Sequence, residues 1–242
     1  MLDARAERSL ADVTERLQTL CGERLLCVAL YGSGAGPDYV AGVSDLNLVV
    51  VLTRVDRATL TELRAHSKAW HKLRVATPLV IEEAFLQAAA DVFPMELHDI
   101  KDGHRLLAGR DLFAALEIHD RHLRYQCEHE ARGKLLRLRE LYLEIGDHRG
   151  RLQELMLDSL TTFLTVMRAA TRMRGTAAGL SYRDTLDRFS QDFSASLPTI
   201  ARLLQVKLGA EQWPGNTEDL FHAYLGEVER VVQIVDQLVV SS

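Results

Sequence analysis

Apolar positions in the first hundred residues switch between two periods. From Ala4 to Leu20 they recur at helical spacing (Leu10, Val13, Leu17, Leu20), and Gly22 supplies a stop. Leu25 to Tyr31 is a short unbroken apolar run ending in glycines, the pattern of a buried strand. Asp45 to Leu52 predicts a second strand, Arg57 to Leu73 a helix, and Leu79 to Ile81 a third strand. Met95 and Leu97 alternate within a fourth, from Phe93 to Ile100. Strands interleaved with helices predict an α/β or α+β domain built on a small mixed sheet.

After Gly109 the two-residue period disappears. Leu135, Leu138, Leu141, Tyr142 and Ile145 form one helical stripe, and Leu152, Leu155, Met156, Leu160, Phe163 and Met167 a second. Leu220, Tyr224, Val228, Val231, Val235 and Leu238 form a third. No proline interrupts the chain between Pro94 and Pro198, as long helices require. Breaks near 146–150, 175–179, Pro198 and 209–215 divide this part into a bundle of four to five helices. The expected fold class is therefore α+β, with a mixed α and β domain over residues 1–115 and an all-helical domain over 116–242.

Composition narrows this picture only modestly. A chain of 242 residues can hold one large domain or two modest ones, and 47% apolar with 26% charged residues is ordinary for a soluble globular protein. The net charge of -5 disfavours a protein that coats nucleic acid, without excluding a local basic groove. Leu25 to Tyr31 and Leu48 to Leu52 are far short of the ~20 apolar residues that span a bilayer, so no membrane partner is expected. No secretory signal is visible at the N-terminus, and the default compartment is the cytoplasm. Cys21, Cys27 and Cys127 give neither a disulfide framework nor a zinc pattern. A homodimer is the prior for a soluble chain of this size.

The segment with candidate chemistry is Leu30-Tyr31-Gly32-Ser33-Gly34, followed about a dozen residues later by Ser44-Asp45-Leu46-Asn47-Leu48. Glycines around a serine at a strand end let backbone N–H groups face an anion with no Cβ in the way, and the Ser33 hydroxyl adds a further donor. Alternation on the next strand puts Asp45 and Asn47 on one face and Leu46 and Leu48 on the other. A phosphate cradle beside oxygen ligands is the layout that Mg²⁺–nucleotide chemistry needs.

These residues resemble the signature of the polymerase-β superfamily of nucleotidyltransferases. There a Gly-Ser pair ends one strand, an Asp-x-Asp or Asp-x-Glu pair opens the next, and a third carboxylate comes from a later strand. The resemblance covers about the first 110 residues, and the helical second part is similar to the partner domains of aminoglycoside-type nucleotidyltransferases. It implies phosphate binding by Gly32 and Ser33, and Mg²⁺ or Mn²⁺ held by Asp45, Asn47 and Glu96. It also implies catalysis by Asp45 and Glu96, with an NTP and an unknown acceptor as substrates. Glu96, facing away from Met95 and Leu97, is the choice for the third carboxylate; Asp99 on the same predicted strand stays open, and His98 reads as structural. The departure is Asn47, where the family carries an acid. A missing unit charge near a divalent ion weakens attraction on a scale of ~4 kcal/mol at 4 Å and an effective dielectric of ~20.

Two rival readings follow. One is a catalytically inactive nucleotide-binding or regulatory module that keeps the fold, which Asn47 favours. The other is a toxin–antitoxin-like helical interaction protein, because Arg124 and His129 formally match the Arg-x4–6-His motif of HEPN ribonucleases. Arg132, Lys134, Arg137 and Arg139 read as a solvated helix face, with Arg132 or Lys134 as candidate phosphate contacts.

Overall fold

The computed structural model describes residues 2–175 and 181–238, except for the side chain of Gln87. The chain divides into two units, 1–119 and 120–242. The expected break at 175–179 falls largely outside the described residues.

In the first unit α1 (Ala4–Cys21) starts where the Asp3 carboxylate accepts from the amides of Arg5 and Ala6, and it ends at Gly22, which has φ 53°. Then come β1 (Leu25–Tyr31), a 3₁₀ turn over Gly32–Ala35, β2 (Asn47–Leu52), α2 (Arg57–Lys72) and β3 (Leu79–Glu82). After these lie α3 (Glu83–Ala88), α4 (Pro94–Asp102) and β4 (Arg105–Gly109). The four strands described form one sheet in the order β3-β2-β1-β4. β1 runs antiparallel to both β2 and β4, whereas β2 and β3 are parallel.

Both faces of this sheet are covered, which is why β1 and β2 read as unbroken apolar runs. Val28, Leu30, Leu48, Val50 and Leu52 meet Leu10, Val13 and Leu17 of α1 and Leu63 and Trp70 of α2. Cys27, Ala29, Val49, Val51 and Ile81 meet Leu86, Leu97, Ile100, Phe113 and Leu116 on the other face. Gly109 closes β4 against β1: a Cβ there would lie 2.0 Å from the Leu26 carbonyl oxygen, at φ +79°.

The segment expected as a strand from Phe93 to Ile100 is the helix α4. Pro94 occupies its first turn, where a missing N–H costs nothing, and the buried positions Pro94, Leu97 and Ile100 are spaced by three. The fourth strand is instead β4. β2 also starts later than expected, at Asn47, preceded by an isolated bridge between Leu46 and Val75.

The second unit consists, among the described residues, of α5 (Asp120–Ile145), α6 (Arg149–Met173), α7 (Tyr182–Asp192), α8 (Pro198–Lys207) and α9 (Thr217–Asp236). α6 packs against α5, α7, α8 and α9, burying Leu152, Met156, Leu160, Phe163 and Met167. Val228, Val231, Val232 and Val235 of α9 are buried within this unit. Glu227 is buried as well, and its two oxygens accept from the amides of Thr199 and Ile200 at 2.8 Å each, capping α8.

All three cysteines are buried and free. Burial pushes the Cys27 thiol up to about 11 and the Cys127 thiol up to about 12, and raises Cys21 in the same direction. Among the described residues no helix is long and apolar enough to cross a membrane.

Candidate functional site

Where β1 ends, the chain turns sharply. Gly32 takes φ +69°, a backbone state that favours glycine, and Gly34 is buried, with space for a Cβ only 3.2 Å from Leu30. The Gly36 amide donates to the Ser33 carbonyl at 3.2 Å, closing the 3₁₀ turn. Ser33 is thereby held half-buried, and its hydroxyl has no hydrogen-bond partner among the described residues.

Asn47 sits opposite Tyr31 in the β1–β2 register. Its amide reaches across the turn, since a Cβ on Gly32 would lie 3.3 Å from Asn47 Nδ2. The Asn47 side chain is also half-buried and makes no hydrogen bond among the described residues. Two polar groups that ordinarily find partners thus flank one bare glycine.

Asp45 lies two residues before Asn47, with Leu46 between them buried in the opposite core. The preceding loop is fixed locally. The amide of Ser44 donates to the Val40 carbonyl at 2.9 Å, and the Val40 amide donates to the Ser44 hydroxyl at 3.0 Å. Tyr39, packed on the core beside it, donates to the Asp3 carboxylate at 3.1 Å. The Asp45 carboxylate is mostly exposed and pairs with Arg74, Nη2 to Oδ1, at 3.1 Å.

The neighbouring strand brings no acid to this end of the sheet. Leu46 pairs with Val75, whereas Val49 pairs with Leu79, so one extra residue enters on the β3 side near Pro78. The stretch running beside Asn47 is therefore Val75-Ala76-Thr77-Pro78, which contains no carboxylate. Glu82 lies at the far end of β3, where it accepts from the Val55 amide at 2.7 Å. Glu96, expected on a strand beside Asp45, is instead an exposed residue in the first turn of α4. It lines an apolar groove of about 590 Å³ together with Leu79, Phe85 and Phe93. No group of three His, Cys, Asp or Glu side chains able to hold a metal ion occurs among the described residues.

These donors bear on the Mg²⁺ or Mn²⁺ that the sequence resemblance implies. Mg²⁺ is commonly held by one or two carboxylates with substrate phosphates completing the shell. One carboxylate (Asp45) and one amide oxygen (Asn47) fit a single ion presented with a triphosphate. They do not fit a two-ion set, which needs a carboxylate bridging both ions.

In the helical unit, Arg124 binds the end of α9, with Nε to the Leu238 carbonyl at 2.6 Å and Nη2 to the Asp236 carbonyl at 3.2 Å. A cation at a helix C-terminus is stabilising, and that role occupies the Arg124 donors. His129 is largely exposed on the same helix. Arg132 pairs with Glu128 and Asp236, Arg137 with Glu140, and Arg139 with Glu229, so these arginines serve interhelical and surface ion pairs.

A four-stranded sheet layered by helices, with a Gly-Ser turn at the end of β1, Asp45 just before β2 and a helical unit following, is a nucleotidyltransferase-type α+β fold. The structure is similar to that of the spectinomycin adenyltransferase AAD(9) from an Enterococcus, which was crystallised with ATP and spectinomycin. The TM-score is 0.61 at 12% identity, over 96% of this chain and 99% of that one. A nucleotidyltransferase-like protein from Exiguobacterium sibiricum matches at a TM-score of only 0.34 and 14% identity, over 93% of this chain and 74% of that one. No family model matches the sequence, and no curated protein does.

Proposed function

We propose that this chain is a nucleotide-binding module on a nucleotidyltransferase fold, which grips the phosphates of an NTP and has lost efficient transfer chemistry. The observation that carries this reading is that Ser33 and Asn47, two half-buried polar side chains without hydrogen-bond partners among the described residues, both adjoin Gly32, the first in sequence and the second across the turn. The Ser33 hydroxyl and the turn amides donate to phosphate oxygens, while Asp45 and Asn47 would hold one Mg²⁺ or Mn²⁺. When bound, that ion neutralises phosphate charge.

Loss of transfer follows from the donor count. Catalysis of phosphoryl transfer is mostly positioning and charge neutralisation. Asn47 removes one unit charge and the Val75–Pro78 stretch offers none. A deficit of ~4 kcal/mol per charge corresponds to about a thousandfold in rate.

Calorimetric titration with ATP, GTP, CTP and UTP, each with Mg²⁺ or Mn²⁺, tests the reading. Binding without pyrophosphate release over a broad acceptor panel is the expected result. Failure to bind any of the four would end it.

A second reading, an active nucleotidyltransferase, is favoured by one observation: the likeness to AAD(9) extends over the helical unit as well as the sheet. In that reading the NTP donates its nucleoside monophosphate to a hydroxyl acceptor, Asp45 holds the ion, and Glu96 or Asp99 takes the acceptor's proton. Pyrophosphate release that disappears in Asp45→Ala and in either Glu96→Gln or Asp99→Asn would establish it.

A further inference from the structure

We infer that Arg74 is the resident cation of this site, a phosphate-binding residue that lets a nucleotide bind without a divalent ion. The inference rests on the nucleotide-binding reading above and extends it to the charge that carries the binding.

The main chain fixes Arg74 to the strand that bears the site. Its carbonyl accepts from the Leu46 amide at 2.9 Å, and two residues on, the Ala76 amide donates to the Leu46 carbonyl at 3.0 Å. Arg74 adopts φ 59°, a left-handed state uncommon for a residue with a side chain. That turn ends α2 and sends the chain into Val75 beside Leu46. Tyr39, in the loop before Asp45, also feels the Arg74 charge, which opposes the upward shift of its phenol caused first by burial.

The guanidinium is aimed at the site's carboxylate. Nη2 lies 3.1 Å from Asp45 Oδ1 and also donates to the Val43 carbonyl. Nε is closed off from solvent and has no hydrogen-bond partner among the described residues. An unpaired buried donor is costly, and re-aiming the guanidinium at an added anion relieves that cost.

Charge counting gives the consequence. A site with two or three carboxylates repels a triphosphate until divalent cations neutralise it. Here Asp45 and Arg74 sum to zero and Asn47 adds nothing. Arginine stays charged at all working pH, and its planar fork matches two phosphate oxygens at once. An exposed ion pair is weak in water, so exchanging the Asp45 contact for a phosphate contact costs little.

The test is ATP titration in EDTA and in Mg²⁺, with wild type, Arg74→Gln and Arg74→Lys, beside Mn²⁺ titration of the nucleotide-free proteins. Circular dichroism melts select folded variants. In wild type, Kd for ATP should change less than about threefold when EDTA replaces Mg²⁺, because charge neutralisation is already built in. Arg74→Gln should lose at least about tenfold in EDTA and regain most of it with Mg²⁺, since Asp45, no longer neutralised by Arg74, then holds the ion more tightly. Arg74→Lys keeps the charge without the fork and should fall between. Mn²⁺ alone should bind Arg74→Gln about tenfold more tightly than wild type.

An absolute Mg²⁺ requirement in wild type, or unchanged ATP affinity of Arg74→Gln in EDTA, would overturn the assignment while leaving nucleotide binding intact. Absence of ATP binding in every condition would overturn both readings.

Discussion

Asn47 stands over Gly32 so closely that a methyl group on the glycine would lie 3.3 Å from the asparagine Nδ2. One residue supplies bare backbone at φ +69° and the other a polar wall, so neither can change without the other feeling it. Gly32→Ala should cost about 1 kcal/mol or more of stability from the left-handed backbone. It should also lower ATP affinity, because the added methyl displaces the amide. Calorimetry beside chemical denaturation separates the two effects, and equal ATP affinity in a folded variant would show that the turn does not hold phosphate.

Asn47→Asp restores the charge that the resemblance leads one to expect. Mn²⁺ affinity should rise by about tenfold or more, given the scale of one added charge close to the ion. Electron paramagnetic resonance of free Mn²⁺ reads this directly. A variant that folds and gains nothing would mean that Asp45 and position 47 do not face a common ion.

Glu227 is a different kind of acid, one that holds the fold. Removing it in Glu227→Ala leaves the amides of Thr199 and Ile200 without acceptors inside the bundle. The expected loss is roughly 2–4 kcal/mol, seen as a lower thermal midpoint with nucleotide binding unaffected in the folded fraction.

Gly109→Ala should damage the sheet from its edge. The new Cβ would sit 2.0 Å from the Leu26 carbonyl, and backbone cannot yield as a side-chain tip can. Hydrogen exchange should accelerate in β1 and β4 before it does in the helical unit.

Acid should weaken the link between α1 and β4. The Arg105 guanidinium, at 2.7 and 2.9 Å, holds the Glu7 carboxyl below its ordinary range. A depressed carboxylate contributes stability above its unfolded pKa and loses it as pH falls through the folded one. Wild type should therefore lose slightly more stability than Glu7→Gln between about pH 5 and pH 3, by less than about 1 kcal/mol because the pair is exposed. Parallel pH curves would remove Glu7 from the account.

The strands β1 and β2 were legible in the sequence because both their faces are covered, which forces continuous apolar runs. Segment 93–100 was not. Met95 and Leu97 alternate over too few residues to separate the two periods, and the helix shows only in Pro94, Leu97 and Ile100 taken together. β4 escaped notice because Arg105-Leu-Leu-Ala-Gly, a short edge strand, does not alternate. At the site, Gly32, Ser33, Asp45 and Asn47 stood out by spacing along one strand–turn–strand unit. Arg74 did not, since beside His71 and Lys72 it reads as the basic last turn of a helix. Only its left-handed backbone and pairing to Leu46 bring it to Asp45. The displaced Glu96 shows the same limit, for a residue's place in space depends on the secondary structure assigned to its segment.

The burial of all three native thiols has a practical consequence. With their ionised forms suppressed, a maleimide added to folded protein should pass them by. A single cysteine engineered into the solvent-facing side of α2 would then accept one fluorophore, and the emission of that dye could follow nucleotide arrival at the turn without stripping the chain of its own sulfur.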